Sequence, residues 1–143
     1  MTAAQVNSMV EKTLAIIKPD AMNSGYKDAI IAIIKKNDFA IIAHKETVLS
    51  QEQAETFYAE HKGRSFFPEL VTFMISGPVT FLVLEKEGAV KAWRDLMGAT
   101  NPAEAEPNTI RKLFGASKGE NATHGSDSLV SAAREVSYFF PGV

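Results

Sequence analysis

Apolar residues along this chain fall into short runs of two periodicities, separated by proline, glycine and small polar residues. Residues 13–17 (TLAII) and 79–84 (VTFLVL) are continuous runs, too short for helices, and predict strands covered on both faces. The first run stops at Lys18-Pro19-Asp20, where proline removes a ladder donor. Tyr26, Ile30, Ile33, Ile34 and Asn37 then share one helical face, with Lys27, Lys35 and Lys36 elsewhere. Residues 39–48 return to β-favouring types and predict a second strand. Ser50 and Gln53 have the spacing of a capping box, which opens a helix burying Ala54, Phe57 and Tyr58 and ending near residues 61–63.

Residues 66–78 (FFPELVTFMISGP) read both ways. Val, Thr, Phe and Ile favour a strand, while Pro68 suits a first helical turn. Gly88 precedes a helix with Val90, Trp93 and Met97 inward, and Gly98 ends it. A loop over 100–107 and a short helical piece, TIRKLFG, lead to the polar, glycine-containing residues 121–128. The last helix carries Leu129, Val130, Ala133 and Val136 on one side. Strands and helices interleave, which suits one mixed sheet with helices packed on it. The 143 residues fit a single domain, 1–143, with residues 1–10 as a loose N-terminal arm.

Composition narrows the function classes. A formal net charge of -2 gives no global attraction to nucleic acid or anionic membrane, so any anion site must be a local cluster of cations. The absence of cysteine excludes disulfides and thiolate metal sites, and His44, His61 and His124 are too far apart in sequence to suggest a zinc cage. Residues 1–12 lack the charged-then-apolar pattern of a secretion signal, and no apolar run approaches a membrane span. A soluble cytoplasmic protein is expected.

The segment NATHGSDS, residues 121–128, sets His124 among small polar residues, beside glycine and just before a helix. No bulky neighbour blocks attack by its imidazole, and a helix N-terminus favours anions. It reads as a nucleophile receiving a phosphoryl group or as a plain helix-capping segment. Lys18, Arg94 and Arg111 each stand near a chain break or a glycine and are candidate phosphate cations; taken singly, each reads better as a solvated surface charge. Phe66 could stack on a base or belong to the core, Tyr58 could donate to phosphate, and Glu135 could orient an imidazole. Neither a Walker loop nor an H-R-D triplet is present, so nucleotide binding must rely on side-chain cations.

These pieces resemble the nucleoside diphosphate kinase family from about Lys12 to Phe140. The matching strings include TLAIIKPDA, ETFYAEHK, FFPEL, FMISGPV, NPAEAEPNTIR and N-x-x-HGSDS. The resemblance implies an α+β, ferredoxin-like sandwich, a four-stranded antiparallel sheet covered by helices, with residues 66–74 helical and His124 on or beside the last short strand. It implies that His124 is phosphorylated, that Glu135 and Ser126 hold its ring, and that Lys18, Tyr58, Arg94, Thr100 and Arg111 bind phosphates bridged by Mg²⁺. No residue would ligate the metal directly. Asn121 and Lys18 would meet the ribose and Phe66 would stack on the base. Substrates would be nucleoside di- and triphosphates, ATP and GTP among them, with no membrane or specific nucleic-acid partner, and the protein would be a homo-oligomer, tetramer or hexamer.

Departures from the family pattern are few. Lys118 stands where an apolar residue usually faces the base, and Asn108, Asp28 and Lys86 replace usual glycines. Asn tolerates left-handed backbone better than most residues.

Two polyphosphates held side by side would repel, so a single site used alternately, with the group parked on histidine, fits these residues and implies ping-pong kinetics. The sequence also fits two other readings: a phosphocarrier phosphorylated by a partner protein, and a non-catalytic interaction protein whose histidine is structural.

Overall fold

A computed structural model describes residues 10–143. The arm expected over residues 1–10 lies outside the described residues except for Val10, which opens the first strand. The strands are β1 (Val10–Ile17), β2 (Ala40–Thr47), β3 (Val79–Glu87) and β4 (Thr123–Gly125). The helices are α1 (Pro19–Asn23), α2 (Lys27–Lys36), α3 (Gln51–Phe57), α4 (Phe67–Met74), α5 (Ala89–Met97), α6 (Ile110–Phe114) and α7 (Leu129–Phe139), with 3₁₀ turns at Ala59–His61 and Pro102–Glu104.

The sheet order is β2-β3-β1-β4, and every neighbouring pair is antiparallel. Interleaved strands and helices had suggested a mixed sheet. The difference arises because β3 inserts between β1 and β2, and β1 between β3 and β4, while β2 and β3, though joined through α3 and α4, pair directly and antiparallel. This is the split arrangement of a ferredoxin-like α+β fold. Among the described residues no helix is long and apolar enough to cross a membrane.

The continuous apolar run in β1 is explained by helices on both faces of the sheet. Leu14 and Ile16 join Phe57, Met74, Phe81 and Phe139 on one side. Ala15 and Ile17 join Ile30, Ile34, Leu82, Trp93 and Met97 on the other. Charged Glu11 and Lys12 had placed the start of β1 at residue 13, but backbone pairing with Glu87 and Lys86 carries the strand back to Val10.

The capping box forms as expected: Gln53 N donates to Ser50 Oγ (3.1 Å) and Ser50 N donates to Gln53 Oε1 (3.0 Å). The ambiguous segment is helical, with Pro68 in its first turn and Val71 and Met74 buried. Asn108 takes a left-handed φ of 74°. In α7 the inward stripe is Ala132, Glu135, Val136 and Phe139, whereas Leu129, Val130 and Ala133 face outward. Both stripes satisfy helical spacing. The buried one was hidden in the sequence because one of its members is a carboxylate.

Gly125 lets β4 lie against α5. A Cβ there would stand 2.5 Å from Met97 Cε and 2.5 Å from Trp93 Cδ1, neither of which has room to withdraw in a fully buried cluster. Gly125→Ala should therefore lower stability by about 1–3 kcal/mol in urea or thermal unfolding, the usual cost of overpacking. A change within error would mean that β4 is free to move off α5.

Candidate active site

Register places the histidine. In β4, His124 lies opposite Ile16 of β1. Directly opposed residues of an antiparallel pair share a face, and Ile16 belongs to the cluster of Phe57, Tyr58 and Val136. The imidazole therefore turns towards α3 and α7. Phe57 and Tyr58 meet it edge-on, with ring centroids at 5.5 and 6.1 Å. Trp93 Nε1 donates to the His124 carbonyl (3.1 Å) and fixes the strand from the opposite side. The His124 side chain keeps 20% of its surface exposed, so the ring is walled in yet reachable.

Glu135 is buried, and the donors around it account for that. His124 Nε2 lies 3.0 Å from Glu135 Oε1, and Ser126 Oγ donates to the same oxygen at 2.9 Å. Ser126 in turn accepts from Leu14 N (3.3 Å). Arg134 Nη2 stands 3.5 Å from Glu135 Oε2 and 3.6 Å from Glu60 Oε1. Burial lowers the pKa of His124 below its ordinary 6.5. The Glu135 hydrogen bond and charge oppose that shift, while the charges on Lys18 and Arg111 add to it. The net direction is down, so the ring is neutral near pH 7.

The cations expected to bind phosphate converge. Lys18 and Arg111 are both buried. Burial, followed by the Arg111 charge, brings Lys18 down to about 8, with only Asp20 opposing. Burial and the neighbouring Arg94 bring Arg111 down to about 10. Arg111 is aimed by its donations to Gly98 O (3.1 Å) and Thr123 O (3.0 Å), yet its buried Nε has no partner among the described residues. Such a cluster is costly when empty and suits a polyanion.

Lys18 Nζ donates to Asn121 Oδ1 (2.8 Å), and Asn121 Nδ2 donates to the Thr100 carbonyl (3.0 Å), which joins those three candidates in one chain. The Tyr58 hydroxyl is buried without a partner among the described residues, and burial together with Glu135 pushes its pKa up, so it remains a donor. Phe66 stands apart from His124, reached through the His61 ring (5.4 Å), which stacks on Tyr58 (6.3 Å). It is 43% exposed at the start of α4, with Arg64 over its face at 5.8 Å, and is not a core residue. Among the described residues no group of three His, Asp or Glu side chains comes together to hold a metal ion.

Three features escaped the sequence reading. Arg134 carries no motif and is recognisable only by its position beside Glu135. Ala122 has a left-handed φ of 76°, and Thr123 N donates across it to Asn121 O (2.9 Å), the hydrogen bond of a γ-turn. For alanine such backbone costs about 1–3 kcal/mol, and nothing in its side chain announces it. Asp20 was read only as part of a strand-ending segment, but its Oδ2 accepts from Ala122 N (3.0 Å).

Fold and site together define a class of protein: an antiparallel α+β sheet offering a carboxylate-oriented histidine to a cluster of cations fit for polyphosphate. The family model described as nucleoside diphosphate kinase matches residues 11–143. A nucleoside diphosphate kinase from Sorangium cellulosum is 53% identical over 133 residues, covering 93% of this chain and 92% of its own. One from Chlamydia abortus is 57% identical over 134 residues, covering 94% and 95%. The crystal structure of the Aquifex aeolicus nucleoside diphosphate kinase superposes with a TM-score of 0.92 at 46% identity, covering 93% of this chain and 96% of its own. The chain belongs to the nucleoside diphosphate kinase family, whose members are phosphotransferases.

The opposing effects on His124 give a direct test. Glu135→Gln keeps the shape but removes the charge that raises the imidazole, so the His124 pKa should fall further below 6.5. NMR titration of the imidazole carbon-bound protons reads this, and an unchanged or raised value would contradict the assignment. The same depression has a linkage sign. Below 6.5 the unfolded chain binds protons before the folded one, so this contribution to stability is present above that pH and is lost as pH falls through the folded value.

Proposed function

We propose that phosphoryl exchange runs through a phosphohistidine at His124, in two alternating half-reactions at one site. The observation that carries this is the buried Glu135 carboxylate 3.0 Å from His124 Nε2, on a ring that also feels Lys18 and Arg111. With Nε2–H donated to Glu135, the lone pair lies on Nδ1. That nitrogen attacks the γ-phosphorus, the Nδ1–P bond forms, and the bond from the γ-phosphorus to the β–γ bridging oxygen breaks. The diphosphate leaves with the bonding electron pair. The proton stays on Nε2, and Glu135 balances the positive charge that grows on the ring. A second nucleoside diphosphate then attacks the same phosphorus through a terminal oxygen and restores neutral His124.

Lys18, Arg94 and Arg111 supply the positioned charge for the equatorial oxygens in both directions, which is where most of the acceleration in phosphoryl transfer arises. Tyr58 and Thr100 add phosphate donors, Asn121 and Lys18 hold the ribose, and Ser126 keeps Glu135 in place. Mg²⁺ enters with the nucleotide as part of the substrate and neutralises charge on the β- and γ-oxygens. Phe66 offers a ring face without edge hydrogen bonds, so it stacks on any base. The reading carries with it a homo-oligomeric state, tetramer or hexamer, and a cytoplasmic setting.

Incubation with labelled ATP, Mg²⁺ and excess GDP tests the chemistry. The protein alone should make labelled GTP and an acid-labile phosphoenzyme, and His124→Ala should abolish both while leaving nucleotide binding largely intact. Exchange retained by that variant would refute the nucleophile. Phe66→Ala should weaken nucleotide binding by about 1–3 kcal/mol if the ring is a stacking platform. Unaltered affinity in calorimetry would remove Phe66 from the site.

A further inference from the structure

The segment that ends β1 gives Lys18 to the cation cluster, but the chemistry above makes no use of Asp20. We propose that Asp20 is a positioning residue whose carboxylate clamps the left-handed turn at Ala122 and thereby fixes where Asn121 and His124 stand. This rests on His124 being the reacting group.

Both backbone polar groups of Ala122 are held by residues 18–20. Its N–H donates to Asp20 Oδ2 (3.0 Å), and its carbonyl accepts from Lys18 N (2.8 Å). Ala122 is fully buried, so no water replaces a lost partner. Across it, Thr123 N closes onto Asn121 O (2.9 Å) with φ at 76°. Remove the carboxylate, and a buried N–H loses its acceptor just where an alanine already sits in disfavoured backbone. The turn then relaxes towards negative φ, and the peptides on either side rotate. One side bears Asn121, tied to Lys18 Nζ (2.8 Å) and to the Thr100 carbonyl (3.0 Å). The other leads in two residues to His124. Displacing a reacting group by an ångström costs about a hundredfold in rate.

Asp20 has two other credible roles, and they predict something different. It faces the Lys18 charge, and it lies in the first turn of the five-residue α1. Neither role depends on what stands at position 122. The clamp does, because glycine adopts a left-handed φ freely and needs no restraint to stay there.

A double-mutant cycle separates these roles. In the full chain, the first-order rate of phosphoenzyme formation at saturating MgATP is measured for wild type, Asp20→Ala, Ala122→Gly and the double variant. Asp20→Ala should lower the rate about tenfold or more beside alanine, and about threefold or less in the Ala122→Gly background. Equal losses in both backgrounds would overturn the proposal. Asp20→Asn, which keeps an accepting oxygen, should stay within about threefold of wild type; a loss of about tenfold would assign the role to charge and overturn the clamp. Should Asp20→Ala not fold, thermal unfolding reads the same cycle. Ala122→Gly must then restore folding, and a double variant that stays unfolded refutes the clamp. Coupling in stability between positions 20 and 122 is independent of which group is phosphorylated, so failure of the clamp and failure of the His124 assignment are distinguishable.

Discussion

A carboxylate removed from water needs its lone pairs filled, and around Glu135 that requirement organises much of the molecule. His124 and Ser126 share one oxygen and Arg134 stands at the other. Ser126 also receives the Leu14 amide, and Arg134 reaches Glu60 in the turn after α3. One side chain thus ties α7 to β1, to β4 and to the helical segment carrying Tyr58. The imidazole is only one of several anchors on Glu135, so its orientation is set by packed elements. The ring is held through Nε2, which leaves Nδ1 as its other nitrogen, and burial lowers the pKa of the imidazole.

The cations obey the opposite logic. Glu135 is satisfied within the chain, whereas Lys18 and Arg111 are buried beside one another with Asp20 as the opposing charge on Lys18. Burial and mutual repulsion make them easier to deprotonate, and in the proposed reaction an incoming polyphosphate would reverse both effects. On that proposal the protein bears part of the cost of assembling charge before the ligand arrives, which would leave little reorganisation for the reacting step. Backbone carbonyls of Gly98 and Thr123 hold the Arg111 fork meanwhile, without neutralising it.

What could be read from the sequence follows from where local chemistry decides the outcome. The Ser50–Gln53 box, the chain break at Pro19 and the doubly covered run in β1 are local, and all three appear as expected. Residues 66–74 were open on propensity alone, and tertiary burial of Val71 and Met74 together with Pro68 in the first turn decides for helix. The α7 face was misread because Glu135 interrupts its apolar stripe; a polar residue at a core spacing is the mark of a function, not of exposure. His124 could be singled out by its small polar neighbours. Its orientation could not, since it depends on β4 pairing with β1 across more than a hundred residues. Arg134 and the Ala122 turn had no local signal at all, because a left-handed alanine looks like any other alanine in sequence.

The unfavourable features are not spread evenly through the structure. The left-handed Ala122 and two buried cations gather where the C-terminal end of β1 meets the start of β4. At that corner β1 is paired on both sides through Ala15–Ile17, and Leu14 to Ile17 are covered on both faces. The juxtaposition has a physical reason. A strained turn or an empty cation cluster relaxes by moving, and movement is resisted most strongly next to a central, fully packed strand. Had the same groups been set on the β2 edge, where Ile42 is exposed, the chain could have yielded and let the cations disperse. The site therefore draws its precision from the stability of β1, and the centre of the sheet is where this sequence can sustain a costly arrangement.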